Sequence, residues 1–349
     1  MKLKQLQQQL KKDNLSYLFL TNQDPNFTYF TGLKDLSFAL LAIPAQGKPF
    51  LFYTALDREK TDSSTKNILI KKSLKETLIK HLKPKNIGYN SLSLTIFSYR
   101  KFKKIFPQSK FIDFAKSLIS LRREKTEAEI IYLKKAAKLT DLVFQKIIQK
   151  LKKKEFKTEN EIKFFLEQFA YQHNTELSFP PIVASGINTK NPHHQTSNKR
   201  LTKGFLLLDF GISYQHYCSD MTRVIYLGKP TPKELEIYNL LLAVQKKAIT
   251  EIKPGKKAAE IDQQVRKNLG KYSSHFVHSL GHGVGVEIHE SPSLSPDSKE
   301  VFRKNQIFTV EPGIYLSDFG LRIEDTLLLT EKPQLLTKSS KELLILSDF

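Results

Sequence analysis

Two apolar stretches in the second half of the chain are each interrupted by isolated carboxylates. Residues 205–227 read FLLLDFGISYQHYCSDMTRVIYL, and residues 307–329 read IFTVEPGIYLSDFGLRIEDTLLL. In both stretches two apolar arms flank a polar centre, which is typical of a β-hairpin. The sequence therefore predicts two hairpins, each of which carries acidic side chains on strands that are otherwise suited to a hydrophobic core.

The spacing of these acids predicts that they face each other within each hairpin. Asp209 and Asp220 lie opposite if the first turn is centred between residues 214 and 215. Glu311 and Glu324 lie opposite if the second turn falls within residues 317–320. Facing side chains on one sheet face have Cβ atoms about 4.5–5.5 Å apart, so like charges there are destabilising unless something neutralises them. Two metal ions about 3.5–4 Å apart would neutralise them.

Two further observations concern the local backbone at Glu311 and the structural roles that these acids could have instead. Pro312 and Gly313 predict a β-bulge directly after Glu311, because proline cannot donate to a ladder and glycine tolerates a kink. A single acid of this kind more often caps a turn or pairs with an arginine such as Arg223 or Arg322. Four acids in two matched pairs are better explained by a metal site than by four separate structural roles.

A glycine-rich segment supplies a candidate nitrogen ligand. Residues 278–285 read HSLGHGVG, so His282 lies between two glycines, and His289 follows it by seven positions. Glycine lets the backbone approach a metal or a substrate closely. Carboxylate oxygens with one imidazole favour Mn, Co or Zn. An isolated histidine is more often structural, but six of the nine histidines lie in glycine- or proline-bearing segments: His193, His194, His275, His278, His282 and His289.

The pattern of helices and strands predicts two domains, residues 1–120 and 121–349. In the first, alternating helical and strand-like segments indicate an α/β layer. The predicted helices there cover residues 2–12 and 73–82, and the predicted strands cover residues 17–20, 38–43, 50–53 and 68–70. In the second, helices with strong start and stop residues precede and separate the strands. They are predicted from residue 125 to about 151, from Thr158, from Thr231 to about 252, and up to Gly270.

Composition limits the class of protein. Hydrophobic residues make up 40% of the chain, which is enough for a sizeable core. The single cysteine, Cys218, excludes a disulfide framework and a multi-cysteine metal site. The lysine-rich start is unlike a signal peptide, and no apolar run approaches the ~18 residues of a membrane span. We therefore expect a soluble, cytoplasmic protein.

The net charge of +21 is concentrated in the first domain, where residues 1–120 carry 21 basic and 8 acidic side chains. Such an excess fits a surface for nucleic acid or anionic membranes, or alternatively lysine-rich solvated helices. The lysine runs at residues 101–104 and 150–154 lack the interleaved glycine, arginine and aromatic residues of RNA-binding motifs. The sequence therefore favours solvated helices, with neither nucleic acid nor a membrane as a partner.

Six motifs resemble, in this order, those of the pita-bread metallopeptidases: IVASGINTKNPH, LLLDFG, YCSDMTR, HSLGHGVGVEIHE, TVEPGIY and LRIED. The resemblance is to the proline peptidase branch, the Xaa-Pro aminopeptidases and Xaa-Pro dipeptidases, and it covers residues 125–335. Residues 1–120 resemble more weakly the creatinase-like N-terminal domain of that branch, through YFTGL at residues 29–33. The resemblance implies an α/β (α+β) fold in which this domain precedes a pita-bread catalytic domain, and it implies a homodimer.

The resemblance also implies a site with two divalent metal ions, manganese first, with cobalt or zinc as alternatives. The implied metal ligands are Asp209, Asp220, His282, Glu311 and Glu324, of which Asp220 and Glu324 bridge both ions. Glu311 is also implied to shuttle a proton and His289 to stabilise the oxyanion. His193 and His278 are implied to hold the substrate, a proline-containing peptide. Arg322 is implied to fix carboxylates or to meet a substrate carboxylate.

The implied reaction is hydrolysis of the Xaa-Pro bond at the N-terminus of peptides by a hydroxide that bridges the metal ions, as in an Xaa-Pro aminopeptidase. The alternative is an Xaa-Pro dipeptidase (prolidase) restricted to dipeptides, which must bind the free carboxylate of its substrate. Only 21 residues separate His289 from Glu311, and Arg303 is the sole arginine among them, so the sequence slightly favours the aminopeptidase. A more distant alternative is a non-catalytic module that binds nucleic acid or protein, against which the complete set of acids and His282 argues.

Overall fold

The chain forms two compact units, which meet in sequence between Arg122 and Arg123. The computed structural model describes residues 2–349. Helices and strands alternate in the first unit. Its helices are α1 (Leu3–Lys12), α2 (Pro25–Thr31), α3 (Leu74–His81), α4 (Ile96–Ile105) and α5 (Ala115–Arg123). Its strands are β1 (Tyr17–Thr21), β2 (Ala39–Pro44), β3 (Phe50–Tyr53), β4 (Lys66–Leu69), β5 (Asn86–Tyr89) and β6 (Lys110–Asp113).

The first unit is built on a six-stranded mixed sheet with the strand order β4-β3-β2-β1-β5-β6. The β1–β2 and β2–β3 pairs are antiparallel, and the other three pairs are parallel. Aromatic residues of the sheet and of α4 form its core, where the rings of Phe19 and Phe102 meet edge to face with centroids 5.5 Å apart. Helix α2 was not predicted from the sequence; it begins after the N-cap Asp24 and ends at Gly32, whose φ of 67° is left-handed.

The second unit begins with two helices and continues as strands and helices. Its helices are α6 (Glu127–Lys152), α7 (Glu159–Gln172), α8 (Pro232–Glu251) and α9 (Ala258–Leu269). Its strands are β7 (Glu176–Leu177), β8 (Ile182–Ser185), β9 (Gly204–Phe210), β10 (Ile212–Ser213), β11 (Met221–Leu227), β12 (Gly281–Gly283), β13 (Glu290–Leu294), β14 (Ile307–Val310), β15 (Gly313–Tyr315), β16 (Gly320–Arg322), β17 (Asp325–Leu329), β18 (Pro333–Leu335) and β19 (Leu344–Leu346). The predicted start residues Thr158 and Thr231 both form capping boxes.

Two sheets form the frame of the second unit. One has the strand order β19-β11-β9-β8, and the other has the order β13-β12-β14-β17-β18. Two short pairs, β10-β7 and β15-β16, complete the strand pairing of this unit. None of the helices in residues 2–349 combines the length and the apolar character that crossing a bilayer requires.

Strand β9 is buried on both faces, which explains its continuous apolar sequence. Phe205 and Leu207 belong to a cluster with α8, α9 and the second sheet, whereas Leu206 and Leu208 belong to a cluster with α6 and α7. Side chains alternate between the two faces of a strand, so Asp209 lies on the same face as Phe205 and Leu207. The first carboxylate is therefore directed to the face that packs with the second sheet.

Candidate metal centre

The first predicted hairpin forms, but its register differs from the predicted one. Its turn is centred between Gln215 and His216, whose φ values of 50° and 68° are both left-handed, and Asp209 faces Thr222. Left-handed angles at both central residues are typical of a two-residue type I′ turn. Because the turn centre lies one residue later than predicted, each residue of β9 faces a residue of β11 two positions later than predicted. Asp209 and Asp220 are therefore diagonal neighbours on one sheet face, and the prediction that they lie directly opposite is wrong.

The second predicted hairpin also forms, and the prediction that Glu311 and Glu324 occupy facing positions is confirmed. Strands β14 and β17 pair on one side of these acids, and β15 and β16 pair on the other side in the same register. Neither strand has an extra residue between these two fully described ladders, so the predicted bulge after Glu311 is wrong. The ladder instead splits at Pro312: the Glu311 N–H donates to the Leu280 carbonyl (2.8 Å) and the Glu324 N–H to the Thr222 carbonyl (3.3 Å). The two acids thus lie where the hairpin passes from one sheet to another.

Strand β12 places His282 beside these acids, and its two glycines make this possible. A Cβ on Gly281 would lie 2.1 Å from the carbonyl oxygen of Thr309, and a Cβ on Gly283 would lie 2.2 Å from that of Ser291. Both distances are too short for any side chain. The glycines therefore allow neighbouring strands to approach each other, a role that the sequence did not indicate, and Gly281 also lines the cavity of the site.

His282 directs one ring nitrogen to the carboxylates. Its Nδ1 lies 3.1 Å from the carbonyl oxygen of Gly283, which can only accept, so Nδ1 carries a proton. Its Nε2 lies 3.3 Å from Glu311 Oε1 and 3.5 Å from Asp220 Oδ2. A backbone carbonyl on the second nitrogen is a common way of orienting a metal-binding histidine. His282 is thus oriented as a metal ligand would be.

One cavity of about 360 Å³ brings together all nine residues that the sequence analysis selected. These residues are His193, Asp209, Asp220, His278, His282, His289, Glu311, Arg322 and Glu324. The rest of its wall is mainly apolar or small, and consists of Phe179, Ile182, Pro192, Ser279, Gly281, Ile288 and Ser293. A few converging polar groups in a partly apolar cavity are typical of a site for a small ligand.

Three of these residues fit a metal ion. One ligand atom from each of Asp220, His282 and Glu324 lies within 4.8 Å of the others. Asp220 is only 4% exposed, and its Oδ1 has no hydrogen-bond partner among the described residues. Leaving a buried acceptor without a partner costs about 1–3 kcal/mol, and more when the group is charged. A divalent cation would supply the missing partner, and the oxygen and imidazole donors suit Mn, Co or Zn.

The carboxylates of the cavity repel one another. Burial raises the pKa of the Asp220 carboxyl well above its ordinary value, and the charges of Glu324 and Asp209 raise it further. Burial, followed by the charges of Glu311 and Asp209, likewise raises the pKa of Glu324 well above its usual range. Burial also raises the pKa of Asp209, although the Arg322 guanidinium opposes the shift. Without a cation, these carboxyls therefore bind protons more readily than they would in water.

Glu311 and His282 form one ion pair of the site, and Arg322 and Asp209 form another. Burial alone would raise the pKa of Glu311, but the hydrogen bond and the charge of His282 outweigh it and hold that pKa below its ordinary value. Burial alone would lower the pKa of His282, and Glu311 reverses that effect, so the pKa of His282 is raised. Glu311 is consequently the carboxylate whose pKa is held low, in contrast to Asp220 and Glu324, whose pKa values are raised.

Arg322 connects the acids of both sheets through side chains that sequence reasoning missed. Its guanidinium donates to the carboxylate of Asp209, to the Tyr315 hydroxyl at 2.6 Å and to Thr222 Oγ1 at 3.1 Å. Thr222 in turn donates to Glu324 Oε2 at 2.7 Å. Thr222 follows Asp220 by two positions and therefore lies on the same strand face. This spacing could have identified Thr222 as a site residue from the sequence. Tyr315 lies within the TVEPGIY motif but carries no charge that would have singled it out.

His278 and His289 line the cavity as neutral imidazoles, because burial lowers the pKa of both. His278 Nδ1 lies 2.9 Å from the Ser279 carbonyl, which can only accept, so its Nε2 accepts from the Tyr315 hydroxyl at 3.0 Å. The His289 ring meets the His282 ring edge to face, with centroids 4.3 Å apart. The His278 ring is partly buried, whereas His193 and His289 are largely exposed.

Divalent cations should stabilise the protein more at high pH than at low pH. If Asp220 and Glu324 are ligands, they must be ionised to bind a cation, and their raised pKa values mean that protons compete for them. The metal-free protein should gain stability as the pH falls through these raised pKa values, since the native state then binds more protons than the unfolded chain. We expect the increase in melting temperature on adding Mn(II) to shrink over the same pH range in thermal scans. An increment that is independent of pH would contradict the assignment of these two ligands.

Comparison with family models identifies both parts of the chain. Residues 132–331 match metallopeptidase family M24, and residues 2–123 match the creatinase/prolidase N-terminal domain. The chain belongs to metallopeptidase family M24. The Xaa-Pro dipeptidase of Pyrococcus horikoshii is 34% identical to this M24 chain over 351 residues, which cover 98% of each protein.

Solved structures of similar proteins agree with this membership. The Xaa-Pro dipeptidase of Bacillus anthracis superposes with a TM-score of 0.90 at 31% identity and covers 99% of both chains. The X-Pro aminopeptidase of Thermotoga maritima superposes with a TM-score of 0.85 at 28% identity, over 95% of this chain and 98% of its own. The M24 chain therefore has relatives named for each of the two activities considered above.

Membership of family M24 confirms the fold and the class of enzyme that the motifs indicated. A creatinase-type N-terminal domain precedes a pita-bread domain, and the protein is a metallo-exopeptidase whose family uses divalent metal ions. The names of the relatives favour the dipeptidase over the aminopeptidase that the sequence slightly favoured. Membership of a metallopeptidase family argues against the non-catalytic binding module.

Proposed function

We propose that this protein is an Xaa-Pro dipeptidase, which hydrolyses the bond between an N-terminal residue and a C-terminal proline. One observation carries the proposal: a single cavity gathers four carboxylates and His282 in a chain that is 34% identical to an Xaa-Pro dipeptidase over 98% of its length. The restricted volume of about 360 Å³ suits a short peptide.

In this proposal two divalent cations are held by Asp209, Asp220, His282, Glu311 and Glu324. When bound, the cations polarise the scissile carbonyl and lower the pKa of a water molecule. The unpartnered Oδ1 of Asp220 and the raised pKa values of Asp220 and Glu324 support these ligands. A cation would supply the missing partner of Oδ1 and would offset the burial and repulsion of the carboxylates. Manganese is the proposed metal, since four of the five ligands are carboxylates.

Glu311 is the proposed proton carrier. Its Oε1 is held by the Thr309 hydroxyl at 3.1 Å, while Oε2 faces the interior of the site, 4.0 Å from His278 Nδ1. The low pKa of Glu311 keeps its carboxylate ionised, so that an oxygen is free to accept a proton from the attacking water. Glu311 then delivers that proton to the proline nitrogen, which must be protonated to leave as an amine.

The neutral histidines are proposed to bind the substrate. A neutral His289 donates an N–H to the carbonyl oxygen of the scissile bond as that oxygen gains negative charge. His193 and His278 flank the substrate, and His278 is fixed by Ser279 and Tyr315. The bond before proline has no N–H, so a site that recognises the carbonyl and the free amine loses no contact with it.

An Xaa-Pro aminopeptidase is the second candidate, and the surroundings of the arginines favour it. A dipeptidase must bind a free carboxylate close to the scissile bond. Arg322 already donates to Asp209, Tyr315 and Thr222. Arg303 has a 61% exposed side chain that pairs with Glu124, and it is not among the residues that line the cavity. A longer peptide would extend out of the cavity without needing such a clamp.

A matched pair of peptides should distinguish the two candidates. Metal-stripped protein is assayed on an Xaa-Pro dipeptide and on the Xaa-Pro-Yaa tripeptide, with and without Mn(II). We expect Mn(II)-dependent cleavage of the dipeptide at more than about tenfold the rate of the tripeptide, equivalent to about 1.4 kcal/mol of transition-state preference. Preferential cleavage of the tripeptide would establish the aminopeptidase, and cleavage of neither with several metals would contradict both.

Two further expectations stay predictions. The homodimer that the resemblance implies is checked by light scattering of the purified protein. A cytoplasmic location, which the single cysteine of the chain supports, is checked by cell fractionation.

A further inference from the structure

Glu159 is a fully buried carboxylate that lies outside the catalytic cavity. It is the first residue of helix α7 and is 0% exposed. Burial alone would raise its pKa, but hydrogen bonds from Asn188 and His194 outweigh this effect and hold its pKa below the ordinary value. Burying an ionised carboxylate costs desolvation free energy, so such a group is uncommon unless it binds and orders the groups around it.

The hydrogen-bond partners of the Glu159 carboxylate all belong to one segment of chain, residues 185–197. Its Oε1 accepts from the Ser185 N–H at 3.0 Å and from the Asn188 side-chain amide at 2.7 Å. Its Oε2 accepts from His194 Nε2 at 2.8 Å, and from the N–H and hydroxyl of Ser197 at 3.2 and 3.1 Å. One carboxylate thus binds both ends and two intermediate positions of this segment.

The same segment delivers His193 to the catalytic cavity. His193 and Pro192 line the cavity, and His193 is close enough to His278 and His289 to act electrostatically on both rings. His193 itself is largely exposed, whereas the neighbouring His194 is partly buried against Glu159. The Glu159–His194 contact therefore fixes the backbone next to a side chain that has little packing of its own.

We propose that Glu159 is a positioning residue for catalysis, which acts by holding the 185–197 segment so that the His193 side chain meets the substrate. The proposal rests on the proposed function, in which His193 contacts the peptide. Glu159 itself lies outside the cavity, and its effect on substrate binding is transmitted through the His193 side chain.

The substitution Glu159→Gln tests this proposal, because it keeps the size of the side chain and replaces one acceptor by a donor. We expect kcat/KM for the Xaa-Pro substrate to fall about 10–100-fold, mainly through KM, with the bound metal content unchanged. The matched control is Glu161→Gln, two positions along the same helix, where an exposed glutamate completes the capping box with Thr158. This control should lower the melting temperature without changing kcat or KM.

A double-mutant cycle with His193→Ala separates positioning from a general loss of structure. If Glu159 acts through His193, Glu159→Gln should change kcat/KM less than about twofold in the His193→Ala background. A full effect in that background, or unchanged kinetics of the single variant, would overturn the proposal. Should Glu159→Gln be too unstable to purify, His194→Ala, which removes only one donor, should change KM in the same direction, and an unchanged KM there would equally overturn it.

A readout that is independent of activity keeps this proposal distinct from the proposed function. The ring resonances of His193, assigned by comparison with His193→Ala, should shift or broaden in Glu159→Gln and not in Glu161→Gln. If the wild-type protein cleaves no Xaa-Pro peptide, the proposed function fails, while the resonances still report the coupling. If the peptides are cleaved and the His193 resonances do not change in Glu159→Gln, the positioning proposal alone fails.

Discussion

Replacing Asp220 by asparagine should abolish peptide hydrolysis and, at the same time, stabilise the metal-free protein. Asparagine lacks the second anionic oxygen that we propose as a metal ligand, so kcat/KM should fall at least ~10³-fold, equivalent to several kcal/mol of lost transition-state stabilisation. Stability should rise because Asp220 is buried, has an unpartnered oxygen and is repelled by Glu324 and Asp209. Peptide assays, metal analysis and thermal scans in the presence of a chelator measure the three effects.

The control for this experiment is Asp297→Asn, at an exposed aspartate outside the cavity. It should leave activity unchanged and stability within about 0.5 kcal/mol of the wild type. Retained activity and metal content in Asp220→Asn would show that Asp220 is not a ligand. Lost activity combined with a lower melting temperature of the metal-free protein would instead identify Asp220 as a structural residue.

Replacing Arg223 by alanine should have the largest effect on stability. Arg223 is 2% exposed, its Nη2 lies 2.6 Å from Asp325 Oδ1, and it also donates to the carbonyls of Thr222, Glu324 and Ser339. Removing one partner of a buried ion pair costs about 3–5 kcal/mol, and here it leaves the buried Asp325 with Lys341 as its remaining cationic partner. Urea unfolding at neutral pH should show this loss as a lower midpoint.

The pH dependence of unfolding provides a second measurement on the same pair. Burial alone would raise the pKa of Asp325, but the charges of Arg223 and Lys341 hold it below the ordinary value. The group therefore contributes stability above the pKa of an unfolded aspartate, and this contribution is lost as the pH falls through the lower native pKa. The wild type should lose this stability on acidification, and Arg223→Ala should lose less of it.

Arg303→Ala is the matched control for Arg223→Ala. Arg303 pairs with Glu124 at 3.5 Å, and both side chains are about half exposed, at 61% and 48%. Exposed ion pairs contribute about 0–1 kcal/mol, so this variant should unfold close to the wild type. Equal destabilisation by the two substitutions would contradict the distinction between the buried and the exposed pair.

The two hairpins show how far the sequence determines the site. Glu311 and Glu324 were predicted to face each other, and they do, because the glycine at position 320 and the polar residues before it mark the second turn. The first turn is formed by Gln215 and His216 in left-handed conformations. Neither residue type marks such a turn, since glycine and asparagine are the usual choices. The predicted centre was consequently one residue away from the observed one.

Contacts between distant segments account for most of what the sequence did not predict. Thr222 and Tyr315 join the site through tertiary contacts: Arg322 donates to both of them, Thr222 donates to Glu324, and Tyr315 donates to His278. The sequence predicted a helix that starts at Thr158, but nothing local indicates that the carboxylate of the next residue, Glu159, binds residues 185–197. Residue type and spacing identify the chemically reactive groups, whereas the groups that hold them depend on tertiary packing.

The split of the second hairpin has a consequence for how this protein reaches its native state. Glu311 and Glu324 lie between two ladders and donate their N–H groups to strands elsewhere in the sequence, and Arg322 meets Asp209 across 113 residues of chain. Contacts of such long range form late in folding, because the entropy of closing large loops opposes them. No single hairpin can bind the cation by itself. Metal uptake should therefore follow the folding of the second unit, and a nascent chain should remain inactive until its last sheet strands are in place.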